Sequence, residues 1–95
     1  MKNQHDDLAD FIELCMTTRN KKTFSELLDF FLTPEERADL AARLLIVKEL
    51  LKQEKTQRQI SKDTNVSIAK ITRGSNELKR IDPHLLVYLK EKLVK

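Results

Sequence analysis

The chain has one cysteine, one glycine, two prolines, one tyrosine and no tryptophan among its 95 residues. The single cysteine, Cys15, excludes an internal disulfide, and no Cys/His cluster at metal-ligand spacing accompanies it, so no metal is expected. With glycine and proline so scarce and 35% of residues charged, the composition reads as strongly helical. No apolar run approaches the ~20 residues a membrane-spanning helix needs; Leu44 to Val47 is the longest purely aliphatic one. The opening MKNQHDDLAD is acidic where a secretory signal would be basic and then apolar, which points to a cytoplasmic protein. Tryptophan is rare in proteins generally, so its absence excludes nothing. Ninety-five residues make one domain, 1–95, with a core of modest size.

What is present is unevenly distributed. Residues 1–42 hold five Lys/Arg against nine Asp/Glu, a net −4, whereas residues 43–80 hold ten against four, a net +6. A basic middle in a small chain fits a polyanionic partner, and it also fits a solvated helical surface. Placement has to decide between them.

The apolar pattern gives six helices. Leu8, Phe11, Ile12 and Cys15 recur at three- and four-residue spacing over about Asp7 to Arg19. In TFSELLDFFL, Thr23 with Glu26 three residues on reads as a capping box. LTPEER repeats that signal more fully: Thr33 caps, Pro34 takes the first helical position and Glu36 closes the box. The helix opened there runs to about Lys52, and its apolar residues, from Ala38 to Leu51, go nearly all the way round. Such a helix is a buried one. A chain this short has little to wrap around it, so a second copy is expected to supply part of the cover. Thr56 with Gln59 opens a short helix, Asp63-Thr64-Asn65 breaks it, Ser67 caps the next, and Asp82-Pro83 caps the last, which carries Leu85, Leu86, Leu89 and Leu93.

Two short helices joined by a tight turn, over about residues 57–78, match the helix-turn-helix pattern. Ile60 and Ser61 fall on the inner face of the first helix, Asn65-Val66 makes the turn, and Ile71 plugs the second helix into the core. Gln57, Arg58 and Lys62 lie on or near the first helix; Lys70, Thr72, Arg73, Ser75, Asn76 and Lys79 lie on or just beyond the exposed face of the second. These donors suit phosphates and base edges, and Ser67, Ile68 and Ala69 at the start of the second helix complete the expected DNA-facing set. A helical hairpin with no nucleic-acid role is the rival. The chain's one glycine, Gly74, falls inside this second helix, where glycine costs roughly 1 kcal/mol relative to alanine. Something has to come close to its backbone.

LTPEERADLAARLLIVKELL, followed by TQRQI and ITRGSNELK, resembles the tryptophan operon repressor family of bacteria over roughly residues 23 to 95. The combination of ITRGSN after a helix-turn-helix with LTPEER and a mid-helix arginine is highly specific. The resemblance implies an all-α fold of six helices that forms an intertwined homodimer. It implies L-tryptophan as corepressor and operator DNA of tryptophan biosynthesis or uptake genes as target. It implies that Arg43 and Arg73 sandwich the indole ring, a stacking and cation–π arrangement. Arg73 with Thr33 would hold the ligand carboxylate, and backbone carbonyls near Phe30 and Leu32 would face its ammonium. Val47 would line the pocket, and Gly74 would be the position against which the ligand lies.

Each assignment has a purely structural counterpart. Arg43 can snorkel from a buried helix, Thr33 is already an N-cap, Val47 is already core, and Gly74 can serve close helix packing. The chain also departs from the family pattern. Glu77 stands where the best-known members carry serine near the ligand ammonium, and its carboxylate either pairs with that ammonium or reaches the DNA side and repels phosphate when no ligand is present; Asn65-Val66-Ser67 replaces a turn often rich in glycine; Ser61 replaces a lysine. A regulator of the same family answering to another ligand, or to none, is the alternative reading. Enzyme function is the weakest: His5 and His84 have no Ser, Cys or carboxylate constellation around them, and Cys15 sits in an apolar stripe.

Overall fold

The computed structural model describes residues 4–94, and over them the chain forms six helices: α1 (Gln4–Thr17), α2 (Lys21–Phe31), α3 (Pro34–Lys52), α4 (Gln57–Thr64), α5 (Ile68–Leu78) and α6 (Pro83–Leu93). The chain is all-α, and its contacts divide it into two units, residues 1–37 and 38–95.

In the first unit, Phe11 of α1 meets Phe31 of α2 edge-on with ring centroids 5.2 Å apart, and Phe30 meets Phe31 at 5.0 Å. The hydroxyl of Thr18 donates to the Leu14 carbonyl at 2.7 Å and that of Thr17 to the Glu13 carbonyl at 3.0 Å. These bonds occupy carbonyls at the end of α1, which stops at Thr17, two residues short of the expected Arg19. The start of α2 corrects the sequence reading. Asn20, not Thr23, is the N-cap, its side-chain oxygen accepting from the Thr23 N–H at 3.0 Å. Asparagine outranks threonine at this position, and its capping three residues earlier lengthens the helix by most of a turn. At the start of α3 the box is reciprocal: Thr33 Oγ1 accepts from the Glu36 N–H at 3.1 Å, and the Glu36 carboxylate accepts from the Thr33 N–H at 2.9 Å.

The second unit is built around one small apolar cluster. Ile60 of α4 and Ile71 of α5 are fully buried and pack with Ile46 of α3; Leu50 and Val66 flank them. Thr56 caps α4 as expected, but the Gln59 side chain turns away from the box and donates to Asp63 Oδ1 at 3.0 Å. Asn65 ends α4 in the left-handed conformation, φ 60° and ψ 30°, which asparagine tolerates better than most residues. The Ser61 hydroxyl donates to the Val66 carbonyl at 2.6 Å and ties α4 to the turn. Ser67 accepts from the Lys70 N–H and opens α5, and Asp82 accepts from the His84 N–H and opens α6.

The central helix is not enclosed. Ile46 and Leu51 are buried, whereas Leu40, Leu44 and Leu45 are 51%, 49% and 39% exposed. An apolar circumference implies burial; within one copy of the chain half of those apolar residues, Ala38, Leu40, Ala41, Leu44 and Leu45, are exposed.

Candidate functional site

Helices α3, α5 and α6 of the second unit surround a cavity of about 450 Å³. That volume lies in the range of small-molecule clefts, ~300–1,000 Å³. From α3 come Asp39, Ala42, Arg43, Ile46 and Val47; from α5, Lys70, Arg73, Gly74, Glu77 and Leu78. Ile81 and the α6 residues Leu85 and Leu89 complete an apolar floor. The spacing within α5 explains the convergence. Arg73, Gly74, Glu77 and Leu78 lie three, four, seven and eight positions beyond Lys70, so the five share a face of the helix. Arg43 and Val47 are likewise one turn apart on α3. The arrangement is an apolar trough with guanidinium groups from two helices at its border, and it suits a flat apolar ring bearing an anionic group.

Of the eight residues expected at a ligand site, five line this cavity: Arg43, Val47, Arg73, Gly74 and Glu77. Phe30, Leu32 and Thr33 belong to the first unit. There Thr33 is engaged in its capping box. The Leu32 carbonyl accepts from the Arg37 guanidinium at 3.1 Å and the Asp29 carbonyl accepts from it at 3.3 Å, while Arg37 also pairs with the Asp29 carboxylate at 3.3 Å. Two of the carbonyls that end α2 therefore already face a cation.

Gly74 has a direct structural cause. A Cβ built on it would stand 3.0 Å from Ile46 Cγ2 and 3.6 Å from Leu50 Cδ1. The glycine lets α5 approach α3 over the core cluster, so helix packing accounts for it without a ligand; its exclusion of a side chain from the cavity is not needed for that account.

The residues expected to face DNA occupy the outer side of the hairpin. Arg58, Ser67, Ile68, Ala69, Lys70, Thr72, Arg73, Asn76 and Lys79 are exposed, and Gln57 and Ser75 are half-buried. Two of them bond to each other, the Thr72 hydroxyl donating to Gln57 Oε1 at 2.8 Å, which braces α5 against the start of α4. A further brace went unread in the sequence. Lys55, in the loop after α3, reaches Asp63 of α4 at 2.8 Å and Glu49 of α3 at 3.9 Å. Hydrogen bonds from Lys55 and then Gln59 hold the Asp63 carboxyl below its ordinary range, and the bond to Asp63 raises the Lys55 ammonium.

Residues 6–93 match the model of the family described as Trp repressor protein. The chain is 48% identical over 82 residues to the Trp operon repressor homolog of Chlamydia caviae, covering 86% of this chain and 81% of that one. It is 42% identical over 94 residues to the homolog of Chlamydia trachomatis serovar D, covering 98% of this chain and 100% of that one. It is 46% identical over 76 residues to that of Vibrio campbellii, covering 80% and 76%.

The chain belongs to the Trp repressor protein family.

As a Trp repressor family member it is a transcriptional repressor, a class that is not an enzyme class. Among the described residues no group of three or more His, Cys, Asp and Glu side chains is placed to hold a metal, and no helix is long and apolar enough to cross a membrane. His84 lies at the capped start of α6, and Cys15 is a free, half-buried thiol in α1. The side chain of His5 lies outside the described residues.

Proposed function

We propose that this chain acts as an intertwined homodimer, a single 1–95 domain in each copy, that binds L-tryptophan as corepressor and then binds operator DNA of tryptophan biosynthesis or uptake genes. The observation that carries this reading is the shared wall of two sites. Arg73, Gly74 and Glu77 border the cavity on one side of α5, while Ser67, Ile68, Thr72 and Asn76 lie exposed along the same helix. A ligand seated between α3 and α5 changes the free energy of one orientation of α5 relative to others, which is all that a corepressor needs to do.

The residues fit the ligand. Arg43 and Arg73 supply planar cations for the two faces of an indole, Arg73 has donors for a carboxylate, and Val47 with the α6 leucines supplies apolar contact. Thr33 and the backbone carbonyls near Phe30 and Leu32 remain part of the assignment, the hydroxyl for the ligand carboxylate and the carbonyls for its ammonium. The dimer is supported by the amount of apolar surface one copy leaves open: Leu8, Ile12 and Met16 of α1, Leu40, Leu44 and Leu45 of α3, and Leu85, Val87 and Tyr88 of α6. Exposed apolar side chains in such number mark an interface. A two-fold dimer of hairpins reads half-sites about one helical turn, ~34 Å, apart. A cytoplasmic location belongs to the same reading.

Selection of duplexes from a random pool, run with and without L-tryptophan, tests it. The expected result is enrichment of palindromic sites only with ligand present, and loss of all binding as salt is raised, because phosphate contacts release counterions. Equal enrichment with and without L-tryptophan would assign the chain to a family regulator that answers to another ligand or to none.

A further inference from the structure

Helix α4 is eight residues long, and Ile60 is its one buried residue. A helix so short depends on its tertiary contacts, and a single apolar anchor leaves its tilt and roll to polar ties. On the side of α5 those ties are the Thr72–Gln57 and Ser61–Val66 bonds, at 2.8 and 2.6 Å. They hold α4 to the turn and to α5, and neither reaches α3.

Among the described residues the polar tie between α4 and α3 runs through Lys55. The connection is a short turn in which Gln53 takes the left-handed conformation, φ 56°, and Thr56 already caps α4. From between them Lys55 sends its ammonium to Asp63 Oδ2, in the last turn of α4, at 2.8 Å and to Glu49 Oε2, near the end of α3, at 3.9 Å. The remaining oxygens are engaged as well: Gln59 donates to Asp63 Oδ1 at 3.0 Å, and Lys52 meets Glu49 Oε1 at 3.6 Å. The Glu49 side chain is only 15% exposed. A lone exposed ion pair contributes little, but a network that spans two helices fixes their geometry. A lysine beside the start of α4 has a rival use as a direct phosphate contact. Here its ammonium is taken up between two carboxylates, which neutralise it rather than present it.

We infer that Lys55 is a positioning residue for DNA binding: by joining Glu49 to Asp63 it fixes the angle of the α4–α5 hairpin on α3, and so sets how α5 meets the duplex. This rests on the reading above that the hairpin binds DNA.

The test titrates two duplexes, the palindromic one recovered in the selection above and one of scrambled sequence, with the full-length protein in the presence of L-tryptophan. Charge and position predict opposite signs for Asp63→Asn. Removing a carboxylate near a polyanion strengthens binding to both duplexes, whereas releasing the hairpin weakens binding to the palindromic one. The expected result is a loss of about fivefold on the palindromic duplex, with the scrambled duplex held or bound more tightly. Lys55→Met should lose at least as much on the palindromic duplex, and Lys55→Arg, which keeps the charge and reaches both carboxylates, should retain binding. The double variant Lys55→Met/Asp63→Asn should lose no more than Lys55→Met alone, because both remove one tie. Helical circular dichroism at the concentration used checks that each variant is folded. Unchanged or tighter binding of Asp63→Asn to the palindromic duplex, an equal loss on both duplexes, or losses that add in the double variant would overturn the positioning role alone. Failure of the unaltered protein to prefer any duplex would overturn the DNA reading and the positioning role with it.

Discussion

Gly74→Ala sets two effects of known sign against each other. Alanine in place of glycine inside a helix contributes about 1 kcal/mol of stability by propensity and by restricting the unfolded chain. Against that, the new Cβ would stand 3.0 Å from Ile46 Cγ2, a contact too close by a few tenths of an ångström. Ile46 is 4% exposed, is β-branched and sits mid-helix, so its χ1 has essentially one rotamer and the methyl cannot swing aside. Overpacking of that kind costs roughly 1–3 kcal/mol, so the net effect should be a loss of about 1 kcal/mol. In an Ile46→Ala background the methyl is gone and the sign should reverse, Gly74→Ala there stabilising by about 1 kcal/mol, a coupling of about 2 kcal/mol between the two positions. Ile46→Val retains a γ-methyl and should not reverse it. Urea unfolding followed by helical circular dichroism measures each variant, at one fixed protein concentration because dimer stability depends on it. If Gly74→Ala stabilises the unaltered protein as much as it does the Ile46→Ala variant, close packing of α5 on α3 is not why the glycine is there.

Other perturbations test other parts of the fold. Thr33→Ala removes one half of a reciprocal capping box and should cost about 1 kcal/mol, a drop in Tm of several degrees, while Thr23→Ala, which caps nothing, should cost markedly less. Asn65→Ala puts a Cβ-bearing residue without a local hydrogen-bonding side chain at φ 60° and should lose about 1 kcal/mol, whereas Asn65→Gly should be neutral or stabilising; equal losses in both would place the role of Asn65 in its side chain. The Asp63 carboxyl is depressed in the folded state, so its contribution is present above the ordinary carboxylate range and is lost as pH falls through the lowered value. The stability gap between the unaltered protein and Asp63→Asn should therefore be widest near neutrality and close in acid; a gap that stays constant with pH would mean that the Lys55 pair contributes nothing.

The parts of this fold that were legible in the sequence are those settled over three or four residues. Thr33, Thr56, Ser67 and Asp82 each cap a helix through a bond to a backbone N–H two or three positions on, so residue type and spacing suffice. Where two capping residues stand three apart, as Asn20 and Thr23 do, spacing does not choose between them, and the start of α2 was misread for that reason. The core positions Ile60 and Ile71 followed from the hairpin pattern. The cavity was legible in part: resemblance named Arg43, Val47, Arg73, Gly74 and Glu77, but Ile81, Leu85 and Leu89 carry no signal that separates a cavity floor from any other apolar stripe. The Gln57–Thr72 bond spans 15 residues and the Lys55–Asp63 pair joins a loop to a helix, and in so charged a chain neither pairing stands out from many equivalent ones. The packing role of Gly74 depended on which way its missing Cβ points, which only the placement of α5 on α3 decides.

The measurement that bears most directly on the central claim is titration of L-tryptophan into the purified protein, read from the ligand's fluorescence without background from the chain. The expected result is saturable binding of one ligand per subunit, abolished in Arg73→Ala and strongly weakened in Arg43→Ala. Absence of saturable binding at millimolar ligand, or binding indifferent to both arginines, would contradict it.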